Sequence, residues 1–378
     1  MPVPLFYRLS LLSLFFALIP SCAQAHVKWF APYVVGAAPQ PLINTLTNQW
    51  FWSGIALVLG FFLATVLVER SPVGDSAREG LDRFTGPIWN RADDFTRAII
   101  GAFFIAIFAV GGVYLTPDLK TPSEWVSWVQ LLIAIGVFSK RTMKASAIGI
   151  LFLWVIALRD YEIFHLLDYL ALGLGVAAYL WLASSETKPD WYAKRFYVLR
   201  WGVAIALMWS SLEKFAYPEW FYPLVEERPF LTFGLPRDMF IPMAGVAEFT
   251  MGFGLLWTPL IRRLSAVALL IIFNAAVYPF GRIDLVGHAL IMATLILILI
   301  DPTRMIKPAV STSRALLLVP AMLLVAMLSI GGTYWGLHRV IYGAEGRASA
   351  QGELLTHTPN VEHPHGRVIE AAPEEHQH

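Results

Sequence analysis

Residues 264–300 read LSAVALLIIFNAAVYPFGRIDLVGHALIMATLILILI, and this stretch decides the fold class. It contains two apolar runs, 264–280 and 284–300, separated only by Gly281-Arg282-Ile283. Each run is close to the roughly 20 apolar residues that a helix needs to cross a bilayer. Gly and Arg between them predict a tight turn joining two helices. The second run carries Asp284 and His288 near its start, at the i,i+4 spacing that puts both on one helix face.

The rest of the chain has the same character. It has 378 residues, 57% hydrophobic and 15% charged, where a soluble domain carries about 25% charged residues. That balance excludes a soluble multidomain enzyme and a disordered chain. A single Cys excludes a disulfide scaffold, and a net charge of +1 speaks against nucleic acid as a partner. The fold class expected is an all-α polytopic membrane protein with the lipid bilayer as its surroundings. Lipid cannot satisfy an open backbone, so the spans are helices. About ten are read, near 50–68, 98–115, 125–138, 145–158, 163–183, 199–217, 239–257, 264–280, 284–300 and 315–336.

Residues 1–25 read as a cleaved signal peptide. Arg8 precedes an apolar run, and Ala23-Gln24-Ala25 is an A-x-A cleavage site. The alternatives are an uncleaved first helix and a lipoprotein site at Cys22. Cleavage places His26 first in the mature chain, outside the cytoplasm. The loops then alternate so that Arg78, Arg83, Arg91, Lys140, Arg141, Lys194, Arg195, Arg262, Arg263, Arg304 and Lys307 fall inside, as the positive-inside rule requires. This places the protein in a bacterial inner membrane, with both mature termini in the periplasm. Residues 71–94 are polar and mixed in charge, and read as a cytoplasmic loop on the membrane surface.

Residues 97–184 resemble residues 196–301. Each set has a Gly-containing second helix ending at a basic turn, Ser139-Lys140-Arg141 or Ile261-Arg262-Arg263, followed by an Ala-rich third helix. Each fourth helix carries an acid and a histidine near its start: His165 and Asp168, or Asp284 and His288. The second set also carries Arg200, Ser211-Leu212-Glu213-Lys214-Phe215 and Ala247-Glu248-Phe249 with Gly252 and Gly254. On these motifs it resembles the DoxX family, including DoxD-like proteins, with 97–184 as a weaker copy. The resemblance implies two tandem four-helix units. It also implies kinship with a quinone-linked oxidoreductase membrane subunit that works with a soluble partner. The expected organisation is a signal peptide (1–25), then an N-terminal segment, first span and loop (26–96). The two units follow (97–184 and 196–301), then a last span (302–336) and a His-rich periplasmic tail (337–378).

Ionisable groups inside a span cost about 2.5–3.5 kcal/mol each near the centre, so they mark function. Glu213 and Glu248 are the candidate catalytic, proton-handling residues, and Asn274 is a neutral companion. Lys214 follows Glu213 directly, so the two do not share a face, and it is expected to snorkel to the outer interface. His165, Asp168, Asp284 and His288 are candidate metal ligands, since mixed imidazole and carboxylate ligation suits zinc, iron or copper. His26 adds an α-amine and an imidazole for a copper chelate. His357, His363, His365, His376 and His378 form a His-rich tail that can capture a transition metal. All nine histidines fall outside or at outer helix ends. Met239, Met243 and Met251 could serve copper(I), although packing is the plainer role. The aromatic, acidic loop from Pro218 to Asp238 reads as an interfacial anchor or as a lid.

The sequence has no P-loop, Rossmann fingerprint, C-x-x-C, G-x-S-x-G or H-E-x-x-H, so no nucleotide is expected. Three functions remain open. One is a membrane protein that binds or transports a transition metal, copper or zinc, at a periplasm-facing polar site. The second is a quinone-linked oxidoreductase subunit with a soluble periplasmic partner. The third is a proton-coupled carrier without metal. Catalytic turnover is left open.

Overall fold

The computed structural model describes residues 27–31, 33–302, 312–346 and 356–357; of 312–315 and 356–357 only the backbone is described. The expected signal peptide, and His26, His363, His365, His376 and His378, lie outside the described residues. The protein is largely α-helical. Among the described residues, four helices are long and apolar enough to cross a membrane: Gln49–Glu69, Ile163–Ala183, Pro259–Ile300 and Leu316–Tyr342.

In chain order the main helices are α1 (Gln49–Glu69), α2 (Pro72–Trp89), α3 (Ala92–Val110), α4 (Glu124–Gly136), α5 (Met143–Asp160), α6 (Ile163–Ala183), α7 (Arg195–Ser211), α8 (Arg237–Gly254), α9 (Pro259–Ile300) and α10 (Thr312–Tyr342). A helix therefore forms at each apolar run read from the sequence. Their boundaries follow local chemistry. Asn48 Oδ1 accepts the Trp50 and Phe51 amides at 2.8 and 3.4 Å and starts α1, as an N-cap side chain should.

Two boundaries differ from expectation. Residues 71–94 are not a loop, because most of the segment is α2. Ser71 Oγ caps it by accepting the Gly74 amide at 3.3 Å, with Pro72 in the first turn. Val73, Phe84 and Ile88 are exposed along it, the arrangement of an amphipathic surface helix. The run expected at 98–115 is helical only to Val110. Gly111 adopts φ 72°, a left-handed stop that glycine takes without strain. The strands β2 (Gly112–Val113) and β3 (Thr116–Lys120) then pair antiparallel.

The 42 residues of α9 would extend about 60 Å if straight, about twice the hydrocarbon thickness. They fold back instead. Gly281 has φ 70° and ψ −146°, with Pro279 just before it. The rings of Phe273 and His288 lie 4.6 Å apart on opposite sides of this break. At the far end, Arg262 and Arg263 donate to the Asp301 carbonyl at 3.2 and 3.1 Å. The expected turn at 281–283 is thus a helical hairpin pivoting on Gly281.

α6 and α7 cross at two glycines. A Cβ on Gly175 would fall 2.9 Å from Gly202 Cα, so only the absence of side chains lets the backbones approach, as in small-residue packing between membrane helices. Polar groups gather at the two ends of the bundle. One end holds Asp93 with Arg195 (2.8 Å at both carboxylate oxygens), Arg200 with Asp301 (3.1 Å), and Arg263 with Asp82. Leu57, Ile105, Leu132, Ile135, Ile148 and Leu328 are exposed, so apolar side chains cover much of the outer surface of the helices.

The described residues after α10 return to the opposite end. Ala37 bridges Gly346, and β1 (Tyr33–Val34) pairs antiparallel with β4 (Thr356–His357), Tyr33 opposite His357.

Candidate functional site

The site is assembled around residues 27–31, which enter the bundle. Val27–Trp29 forms one 3-10 turn, closed by the Phe30 and Ala31 amides on the Val27 carbonyl at 3.0 and 2.9 Å. All three residues of the turn are buried. Lys28 Nζ sits 2.7 Å from Asp168 Oδ2 and 2.5 Å from Glu213 Oε1. Burial lowers the Lys28 pKa, but attraction and hydrogen bonds from Asp168 and Glu213 outweigh it, so the net shift is upward and the ammonium stays charged. The rings of Tyr33 and Trp220 flank it, with centroids 5.8 and 6.0 Å from Nζ.

Trp29 fixes the next position. Its indole Nε1 donates to the Tyr169 hydroxyl at 2.7 Å, and its ring lies 4.8 Å from the His288 ring. Gly287 makes room for it, because a Cβ there would be 1.9 Å from Trp29 Cη2.

The expected ligand residues sort into three arrangements. Asp168 takes Lys28 on one oxygen and the Trp209 indole N–H at 3.0 Å on the other. His165, one turn earlier on α6, instead meets the Tyr33 hydroxyl at 2.5 Å through Nδ1. His165 and Asp168 share a helix face, and their hydrogen bonds to Tyr33 and Lys28 run to different residues of the N-terminal segment. Asp284 and His288 do meet: Asp284 Oδ1 and His288 Nδ1 are 3.1 Å apart and buried, with the imidazole between the Trp29 and Phe273 rings.

Glu213 and Glu248 also reach this region. α7 ends at Ser211, and the single turn Glu213–Ala216 follows. Adjacent residues on that turn point about 100° apart, so Glu213 meets Lys28 while Lys214 turns to Glu248. Lys214 does not snorkel to an interface: it is buried, and Nζ donates to Glu248 Oε2 at 2.7 Å. The acid at the deepest expected position draws it inward.

These groups border one cavity of about 50 Å³, lined by Trp29, Asp168, Glu213, Lys214, Glu248 and His288, with Val27 and Phe221 also on its wall. A polar cavity of this size holds a few waters or one small ion. Phe221 belongs to the aromatic loop after Pro218, so part of that loop closes the site. One other expectation is corrected. Asn274 is exposed and bonds its own helix at Leu270 O. Met239, Met243 and Met251 are not among the residues lining the cavity.

No family model, curated protein or solved structure matches the chain. The chemistry of the site therefore rests on its own geometry. Among the described residues no three His, Cys, Asp or Glu side chains group closely enough to hold a metal. Asp284 and His288 form a two-ligand pair. Lys28, Trp29, Tyr33, Tyr169, Trp209 and the Lys214–Glu248 pairing were missed by sequence reasoning. Lys28 had one available signal: it is the only charged residue between His26 and Glu69.

Proposed function

We propose that this is an integral membrane protein of the bacterial inner membrane whose periplasm-facing polar centre binds or transports a transition metal, copper or zinc. In this reading the chain crosses the membrane about ten times after loss of a signal peptide. It is built as two tandem DoxX-like four-helix units, with its His-rich tail in the periplasm. The observation that carries the reading is the Asp284–His288 pair, 3.1 Å apart and buried beside the cavity. Two ligand atoms about 2.0–2.2 Å from one zinc, at a roughly tetrahedral angle, lie about 3.3–3.6 Å apart, so a small widening of the pair would admit the ion. Val27 lines the same cavity as His288, and the sequence puts His26 directly before it. β4 brings the backbone of His357 beside Tyr33, whose hydroxyl meets His165. His26 and the tail histidines His357, His363, His365, His376 and His378 are the further ligands this reading calls on.

The test is metal content and binding stoichiometry of the purified mature protein, with its N-terminus sequenced. Binding is expected to fall on truncation after Arg347, with the remaining affinity lost in His288→Ala. Binding unchanged from the unaltered protein in both variants refutes the reading.

A second reading is a quinone-linked redox subunit with a soluble partner, in which Glu213 and Glu248 carry protons. A specific feature favours it. An open apolar groove of about 480 Å³ along α6 and α7 is lined by Leu170, Leu174, Trp201, Ile205 and Trp209. The indole of Trp209 bonds Asp168, so an isoprenoid chain in the groove would touch a residue that also touches the polar centre. Quinone-analogue reduction lost in Glu213→Gln supports this reading over the first.

A further inference from the structure

Residues 27–31 are packed as a ligand is packed. An ammonium bridges two carboxylates, Asp168 and Glu213, at 2.7 and 2.5 Å. Two aromatic rings, Tyr33 and Trp220, lie beside it, and Trp220 is itself stacked on Tyr217 at 3.9 Å and 4°. The next residue, Trp29, fills the space left by Gly287 and covers the His288 ring. Among the described residues no backbone ladder holds residues 27–31 to a helix; their anchors are side chains. The contacts run from Lys28 to Asp168 and from Trp29 to Tyr169, each 140 residues away in sequence. Lys28 is held at the two carboxylates, and Trp29 by its indole hydrogen bond and the His288 ring, so the contacts at Asp168 and Glu213 are ones that a competing ammonium can replace in kind.

We propose that Asp168, Glu213, Tyr33 and Trp220 form a binding pocket for a primary ammonium group, and that residues 27–31 are a tethered plug whose Lys28 occupies it. The ligand class is a small primary amine. Carboxylates on two sides call for N–H donors, which a quaternary ammonium lacks, and the aromatic walls favour a cation over a neutral group. When an amine takes the pocket, Lys28 is released and Trp29 leaves His288, opening the cavity that the plug covers. This inference does not depend on a metal binding at Asp284 and His288.

The experiment removes Lys28 and asks for its replacement. Lys28→Ala deletes three carbons and the nitrogen, which together are n-propylammonium. Purified Lys28→Ala is titrated with ethyl-, propyl-, pentyl- and tetramethylammonium chloride, and its thermal unfolding is followed. A saturable rise in Tm, largest for propylammonium, absent for tetramethylammonium and lost in Lys28→Ala/Glu213→Gln, supports the pocket. No rise with any primary amine, or an equal rise with tetramethylammonium, overturns it. A second measurement uses the unaltered protein and does not need the variant to fold. The lysine-specific protease Lys-C cuts after Lys28 only when the plug is out. Saturating propylammonium is expected to raise that cleavage about tenfold, whereas an unchanged rate overturns the proposal.

Discussion

Gly287→Ala tests how the N-terminal segment is seated. The new Cβ would lie 1.9 Å from Trp29 Cη2, 2.3 Å from Cζ3 and 2.7 Å from Cζ2. Carbon atoms in contact sit about 3.5–4.0 Å apart, so the ring must retreat by about 2 Å. It cannot do so and keep both the 2.7 Å bond to Tyr169 and its place beside the His288 ring. Overpacking of this kind costs about 1–3 kcal/mol, and a buried hydrogen bond lost with it adds about 1 kcal/mol. Full ejection of the indole would forfeit about 5 kcal/mol, from roughly 200 Å² at 25 cal/mol per Å². The cheaper response therefore wins, and the expected loss is about 2–4 kcal/mol. A double-mutant cycle isolates the contact. Once Trp29→Ala has removed the ring, Gly287→Ala has nothing to strike, so the two changes should be non-additive by about 1–3 kcal/mol. The assay is unfolding in detergent, with hydrogen exchange of the residue 27–31 amides as a local readout. Additive losses with unchanged exchange would show that Trp29 does not rest on Gly287.

Three further outcomes follow from the same geometry. Lys214→Met leaves the Glu248 carboxylate buried without its ammonium and should cost about 3–5 kcal/mol, with most of it regained in Lys214→Met/Glu248→Leu; unfolding of the single and double variants checks this, and a double variant as weak as the single contradicts it. Gly202→Ala sets a methyl 2.7 Å from the Ala171 carbonyl oxygen, so α6 and α7 should separate at a cost of about 1–3 kcal/mol, while the neighbouring exposed Trp201→Phe changes little in the same unfolding assay. Asp93, at the start of α3, is pushed up by burial but brought below the ordinary carboxylate range by hydrogen bonds and charge from Arg195, with Tyr179 and Tyr192 helping. Its contribution is present above the unfolded-state pKa and disappears as pH falls through the folded one. Asp93→Asn should therefore weaken the protein at neutral pH and flatten its loss of stability below about pH 4, as an acid titration of unfolding would measure.

The site was half legible. Asp284 and His288 are four residues apart on one helix, and helix geometry alone brings them together, as the structure bears out at 3.1 Å. The same argument applied to His165 and Asp168 put them on one face but could not name their partners, because Tyr33 and Lys28 arrive from elsewhere in the chain. Lys214 was misread for a similar reason. Snorkelling is the cheapest fate of a lone lysine near a helix end, and only the folded bundle supplies Glu248 within 2.7 Å.

Composition and periodicity determined the helical class, the runs that become helices and the turn at Gly281, since apolar length and a glycine without Cβ strain act within a few residues. Tertiary structure decided that the N-terminal segment enters the bundle, that two lysines rather than none share its polar centre, and that residues 72–89 fold as a surface helix. The lysine contacts turn on which groups meet between segments apart in sequence, 34 residues for Lys214 and Glu248 and 140 for Lys28 and Asp168. The energy of such meetings depends on distance in space, which a linear pattern does not encode.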